Sequence, residues 1–107
     1  YDIKYVLIGT GVEDASGDVD LFTFDRPSPN PITMSASIGF SIPSAGNVEL
    51  AVYDVSGRMV ETILDGSLDS GSHSMQWTPG HQIGSGVYFI RLTTEGGILT
   101  RQVMVIR

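Results

Sequence analysis

The sequence predicts an all-β protein, an antiparallel immunoglobulin-like β-sandwich of about seven strands. Apolar and polar residues alternate with a period of two in several short segments, the pattern of strands with one buried face. No segment has the period of an amphipathic helix. Most connections between the predicted strands are too short for parallel crossovers, so neighbouring strands should run antiparallel. The 13 glycines and 5 prolines are typical of a chain with many turns.

The first clear strands lie in the middle of the chain. Residues 21–24 are apolar, but the three prolines between Arg26 and Ile32 should stop regular structure, since proline fixes φ and lacks an amide donor. Residues 37–42 then alternate, and the Pro43–Asn47 segment has the composition of a turn. Residues 48–53 alternate in the same way, which predicts a second strand.

A hairpin turn is predicted at Asp54–Gly57. The Asp54 carboxylate can accept hydrogen bonds from the turn amides, and Gly57 can take a positive φ. Residues 58–64 form the returning strand, and Asp65-Gly66 starts the next turn.

The C-terminal half continues the pattern. Residues 73–77 alternate, residues 78–85 are predicted as an irregular loop, and strands are predicted at 86–92 and 100–107. The inward-facing positions should form much of the core: Phe40, Ile42, Leu50, Val52, Trp77, Tyr88, Ile90, Leu92, Val103 and Val105.

The last residues of the sequence are unusual for a chain end. Terminal residues are poorly ordered unless something holds them, yet residues 103–107 are largely apolar and β-branched. We therefore expect the carboxyl end to belong to a sheet. A folded and accessible chain end is well placed to be recognised, which favours an address or attachment module over an enzyme.

The N-terminal part differs in composition from the rest. Residues 1–8 include a short β-prone run, whereas residues 12–20 are small and acidic without periodicity, which is typical of a linker. We predict that residues 1–11 are the tail of an upstream domain, residues 12–20 an acidic linker, and residues 21–107 the β-sandwich.

Composition excludes several classes of function. The formal charge is −6 and no cluster of Lys or Arg occurs, so nucleic-acid binding is not expected. The absence of cysteine excludes disulfides and thiolate metal sites. No apolar run approaches the roughly 20 residues of a membrane-spanning helix.

No catalytic or metal motif is evident. His73 and His81 lack the context of a nucleophile elbow, so they are predicted on a strand face and in a loop, and they have no neighbouring zinc-ligand pattern. Residues 14–20 alternate in oxygen donors, but an EF-hand loop starting there would need Gly where Val19 stands and Glu where Asp25 stands. We expect no cofactor and no metal.

Four aromatic residues leave two interpretations open. They could line a sugar-binding face, or they could pack in the core, which is the commoner role of aromatic residues in alternating strands. They are Tyr53, Trp77, Tyr88 and Phe89.

The order of landmarks resembles the type A C-terminal sorting domain of the type IX (Por) secretion system, and the related immunoglobulin-like domain of flagellar hook-capping proteins. The resemblance covers about residues 21–107. Each motif is short, but their order is specific. The landmarks are Pro29-Asn30-Pro31, Ile38-x-Phe40-x-Ile42-Pro43, Gly46-x-Val48-x-Leu50-x-Val52-Tyr53-Asp54-x-x-Gly57-Arg58, Gly71-x-His73-x-x-x-Trp77, Gly84-Ser85-Gly86-Val87-Tyr88-Phe89-x-Arg91-Leu92 and Thr100-Arg101-x-Val103-x-Val105-Ile106-Arg107.

The resemblance implies a non-catalytic sorting and anchoring role for a secreted or cell-surface protein of a Gram-negative bacterium. Its implied partners are the type IX translocon, a sortase-like peptidase and a covalently linked upstream cargo domain. Members often have lysine near the end where this chain has Arg101 and Arg107, which keeps the charge but not the geometry of recognition. The implied recognition residues are Gly86, Val87, Tyr88, Arg91, Leu92, Arg101, Val103, Val105 and Arg107.

Two alternatives accompany this interpretation. The chain could instead be an immunoglobulin-like accessory module of an extracellular enzyme, either binding glycan or acting as a spacer. Within the sorting interpretation, the Asp54–Arg58 pair could contact the translocon, although turn geometry alone also accounts for it.

Overall fold

The structure, a computed structural model, describes residues 22–107. Seven strands and no helix occur in this range. The strands are β1 (Thr23–Phe24), β2 (Ala36–Ile42), β3 (Gly46–Tyr53), β4 (Met59–Leu68), β5 (Gly71–Trp77), β6 (Gly86–Thr94) and β7 (Gly97–Val105). In the same range no helix is long and apolar enough to cross a membrane.

The strands form two antiparallel sheets. Sheet A has the order β1-β2-β5, and sheet B has the order β4-β3-β6-β7. This divides consecutive strands between two layers as in the immunoglobulin fold, with β4 added at the edge of sheet B. The predicted antiparallel β-sandwich of seven strands is confirmed.

The outward face of sheet A consists of small polar residues. The register pairs Ser41 with Ser72 and Gly39 with Ser74, and the two serine hydroxyls of the first pair lie 3.1 Å apart. Asp25 lies against the same face, and its amide donates to the Gly39 carbonyl at 2.9 Å. A side chain at position 39 would meet Asp25 Oδ2 at 2.9 Å, so a larger residue there would require the Asp25 carboxylate to move.

Strand β4 is longer than the sequence predicted. Asp65-Gly66 does not start a turn, because Asp65 pairs with Glu49 and the strand continues to Leu68. Two register shifts leave Val60 and Ile63 without an opposite residue in β3. A bulge interrupts the alternation on which the sequence prediction depended, which is why the end of this strand was misplaced.

The turn between β3 and β4 has the predicted chemistry. Asp54 Oδ1 accepts from the amides of Ser56 and Arg58 at 2.9 and 3.0 Å and from the Ser56 hydroxyl at 2.6 Å. Gly57 has a φ of 89°. These bonds, with the Ser56 hydroxyl first, lower the pKa of Asp54.

The core lies between the two sheets. Every residue predicted there is buried except Tyr88, which is half-buried and donates its hydroxyl to the Gly84 carbonyl at 3.0 Å. A phenol needs a polar partner, so its ring packs at the margin of the core rather than within it. The core also contains residues that the prediction did not include: Phe24, Ile32, Ala36, Ile38, Val48 and Ile83.

The predictions for the N-terminal part lie outside the described residues. They concern the upstream tail at 1–11, the linker at 12–20 and the failed calcium pattern that begins at residue 14. The prediction of a loop at 78–85 is confirmed, since these residues connect β5 and β6.

Candidate functional site

The predicted recognition residues lie on one hairpin, formed by β6 and β7, and on the residues that follow it. The register pairs Gly86 with Val105 and Tyr88 with Val103, and it continues without a shift to the turn between the strands. At that turn, the Gly96 amide donates to the Thr94 hydroxyl at 3.0 Å. The tertiary structure therefore brings together residues from two separate sequence motifs.

Alternation divides these residues between two faces. Leu92, Val103 and Val105 point inward and are fully buried, and Tyr88 is on the same side. A buried side chain cannot contact a partner of the folded domain, so Leu92, Val103 and Val105 shape the hairpin, whereas Tyr88 is half-buried. Val87 and Arg91, by contrast, lie on the outward face of sheet B and are half-buried.

Arg101 is also buried, with 5% of its surface exposed. Its Nε donates to the carbonyl oxygen of Phe24 at 2.8 Å, which joins β7 of sheet B to β1 of sheet A. Burying a guanidinium is costly unless hydrogen bonds replace those made to water. This arginine therefore links the two sheets, and its charge is buried rather than displayed at the surface.

Arg107 follows the last strand and binds the loop between β5 and β6. Its Nη1 donates to the carbonyl oxygens of Gly80 and Ile83, both at 2.7 Å. Its amide donates to the Ser85 hydroxyl at 2.8 Å. The exposed end of the chain is thus fastened to the loop that precedes β6.

A segment that is distant in the sequence, before β2, holds the final strand as well. The Ile32 amide donates to the Met104 carbonyl at 2.7 Å, and the Ile106 amide donates to the Ile32 carbonyl at 2.9 Å. The side-chain oxygen of Asn30 accepts from the Met104 amide at 2.9 Å. We call residues 30–32 the clamp.

Sequence reasoning missed the clamp. The Pro29-Asn30-Pro31 landmark was expected only to interrupt structure, whereas it places Asn30 and Ile32 along the edge of β7 in a parallel bridge between Ile32 and Val105. One signal was present in the sequence: Ile32 is an isolated aliphatic residue in a polar, proline-rich segment, and it is fully buried.

The aromatic residues are divided between the core and the outward face of sheet B. Trp77 is 3% exposed and belongs to the core. Tyr53 and Phe89 are cross-strand neighbours on the outward face of sheet B, with the Arg91 guanidinium 4.2 Å from the centre of the Tyr53 ring. Because a guanidinium covers the Tyr53 ring, that ring is not a free platform for a sugar.

The histidines and carboxylates of residues 22–107 do not form a candidate metal centre. No three His, Asp or Glu side chains in this range are grouped to hold a metal ion. His73 lies on β5 with its Nε2 at 2.7 Å from the Asp69 carbonyl oxygen and its ring 5.5 Å from that of Phe40. His81 is exposed in the loop at 78–85, so the predicted positions of both histidines are confirmed.

Comparison with known families finds one match. The family described as the secretion system C-terminal sorting domain matches residues 28–106, which includes the clamp and the whole of β6 and β7. The chain belongs to this family. No curated protein and no solved structure matches it.

Membership decides the function. The sorting domain carries the signal for type IX secretion, and its family is non-catalytic. It therefore interacts with that secretion system, and the protein that carries it is secreted or placed on the cell surface of a Bacteroidetes-type bacterium. The predicted sorting function is confirmed.

Proposed function

We propose that the type IX translocon recognises this sorting domain in its folded state, through the β6–β7 hairpin. The observation that supports this is the number of attachments on the final strand. β7 pairs with β6 on one side and with the clamp on the other, and Arg107 fastens the chain beyond it. At its C-terminal end, where the clamp bonds to the Met104 and Ile106 backbone, β7 is held on both sides and offers side chains to a partner rather than a free backbone edge.

Within this proposal the nine predicted residues have two roles. Those exposed or half-buried, which include Val87, Arg91 and Arg107, make contact with the translocon. Those buried on the inward face, which include Leu92, Arg101 and Val103, act as positioning residues that keep the hairpin in register.

A reporter assay tests the proposal. The 107-residue chain, fused behind a periplasm-targeted reporter in a bacterium with a type IX system, should carry the reporter to the surface or medium. Arg107→Ala should reduce the exported fraction while the purified domain still melts cooperatively, and Ser74→Ala, on the outward face of sheet A, should not. Retention of the parent fusion in the periplasm, while an established sorting domain exports the same reporter, would show that the proposal is wrong.

We further propose the arrangement of the longer protein. Residues 1–11 are the end of a cargo domain, residues 12–20 an acidic linker and residues 21–107 the sorting domain, exported by a Gram-negative bacterium. A sortase-like peptidase would cut in the linker, because a peptidase needs accessible, extended backbone and this segment has no apolar stripe to bury. The shared order of motifs supports kinship with flagellar hook-capping domains.

Limited proteolysis tests the boundary. The first cut is expected between Gly11 and Asp20, leaving a resistant C-terminal fragment that mass spectrometry can identify. A first cut in the loop at 78–85 with the linker intact would mean that the boundary is misplaced.

A further inference from the structure

The outward face of sheet B carries a group of apolar residues at the end where β3 and β7 finish, beside the exposed Gln102. The register places Tyr53 between Met59 and Phe89, and Val87 beside Met104. The two methionines are 44% and 43% exposed, and the two aromatic rings and the valine are half-buried. With Arg91, these residues form what we call the aromatic–arginine face: Tyr53, Met59, Val87, Phe89, Arg91 and Met104.

Nothing in the fold requires apolar residues on this face. The outward face of sheet A lies on the same sandwich and consists of serine, glycine and glutamine at the paired positions of β2 and β5. Contiguous exposed apolar surface usually marks a binding site, and Tyr, Phe, Met and Arg are enriched in interfaces.

Arg91 gives the face its charge. Its guanidinium stacks on Tyr53, and no carboxylate of residues 22–107 is paired with it, whereas Arg58 nearby lies 3.4 Å from Asp54. The carboxylates of Glu49 and Asp65 sit opposite each other one row further along the sheet. A planar, stacked guanidinium is ready to bind a carboxylate with two hydrogen bonds.

We propose that the aromatic–arginine face docks a protein of the secretion machinery whose contacting surface is apolar and carries a carboxylate opposite Arg91. This inference rests on the sorting function and names the surface that would serve it. The apolar side chains contribute burial at the centre, and the carboxylate pairs with Arg91 once water is excluded.

A second copy of the chain fits the face poorly. A two-fold contact centred on this face would bring equivalent surfaces together and place Arg91 near its own counterpart. A protein partner with a carboxylate opposite Arg91 avoids this contact between two arginines.

Substitutions at Met104 separate charge from loss of apolar contact. In the export assay with the full 107-residue chain, Met104→Glu should lower the exported fraction about tenfold or more, since like charges across an interface are strongly unfavourable. Met104→Lys removes the same methionine but should lose clearly less, because its ammonium suits an acidic partner. Ser74→Glu, which adds the same charge to sheet A, should export like the parent.

Arg91 provides an independent readout. Arg91→Glu should reduce export as strongly as Met104→Glu, and thermal melting of each purified variant shows whether the domain is still folded. If Met104→Glu and Arg91→Glu fold and export like the parent, or if Met104→Lys is worse than Met104→Glu, the inference is wrong while the sorting function stands. If the parent itself is not exported, the sorting function fails and the inference fails with it.

A photoreactive residue in place of Met104 identifies the partner. The expected result is a crosslink to a component of the secretion system, which is absent when the same residue replaces Ser74. A crosslink only to another copy of the chain would overturn the inference in favour of self-association. Binding to phosphatidylglycerol vesicles that Arg91→Glu abolishes, with no protein crosslink, would overturn it in favour of a membrane surface.

Discussion

The two edge strands of sheet B, β4 and β7, limit their exposed backbone edges in different ways. β4 has two register shifts, at which Val60 and Ile63 have no opposite residue, and such bulges bend an edge strand away from regular pairing. β7 keeps an unshifted register from Gly97 to Val105. Its C-terminal end is covered instead by the clamp, through backbone bonds to Ile32 and a side-chain bond to Asn30.

The difference determines how regularly each edge strand displays its outward side chains. A bulged strand loses its strict alternation. Val60 and Ile63 are three positions apart in β4, yet both pack against the core. β7 keeps its alternation, with odd-numbered residues inward and even-numbered residues outward over its whole length. A clamped strand can therefore stay regular at the edge of a sheet and still display a defined row of side chains.

The largest effect is expected from the anchor of the clamp. Ile32 is fully buried, so Ile32→Ala should lower the free energy of unfolding by about 2–5 kcal/mol, the usual cost of such a core cavity. The matched change on the other edge, Ile63→Ala, should cost less because that side chain is only partly buried. Urea denaturation of both variants measures this, and equal losses would mean that the two edges are equally anchored.

A smaller effect is expected from the polar half of the clamp. Asn30→Ala leaves the Met104 amide without its acceptor and should cost about 0.5–1.5 kcal/mol, the net contribution of one hydrogen bond. Hydrogen exchange should be faster at the Met104 amide and unchanged along β4. The control is Asn47→Ala, an exposed asparagine of β3. Exchange at Met104 as slow as in the parent would show that Asn30 does not hold the strand.

The smallest effect concerns pH and the start of β4. The pKa of Asp54 is lowered in the folded protein, chiefly by the Ser56 hydroxyl and the Arg58 amide. The stabilisation from this turn is therefore complete above the pKa of an unfolded aspartate and is lost as pH falls through the lowered value. Asp54→Asn should remove this part of the acid dependence of the melting temperature.

The clamp supplies the control for that measurement. Asn30 does not titrate, so Asn30→Ala should lower the melting temperature by the same amount at neutral and acid pH. If Asp54→Asn melts with the parent's full pH dependence, the turn does not account for acid sensitivity at the β4 edge.

The strands were predictable because each leaves a local pattern. Ile38, Phe40 and Ile42 alternate with small polar residues. Asp54 and Gly57 are typical of a hairpin turn, with a carboxylate acceptor and a glycine at positive φ. The prediction was wrong where bulges interrupt the alternation. Asp65-Gly66 resembles a turn, but after two bulges it pairs inside β4.

The sequence indicated which positions belong to the candidate site, but not which of their side chains are buried or what they contact. The sequence marked Arg101 and Arg107 alike, as two cations near the chain end. The structure buries Arg101 against the Phe24 carbonyl and leaves Arg107 exposed on the loop carbonyls of Gly80 and Ile83. Alternation distinguishes inward from outward positions, but it does not say which backbone groups, far away in the sequence, lie opposite them.

The sequence by itself determined the antiparallel sandwich, the turn at Asp54 and the family to which the chain belongs, because each depends on the order and spacing of neighbouring residues. Only the tertiary structure decided that residues 30–32 clamp the last strand, that Arg101 joins the two sheets, and that Tyr53 and Arg91 meet on one face. These contacts join residues 38 to 77 positions apart. They form when the sheets pack, and no local pattern of residue types specifies such a pairing.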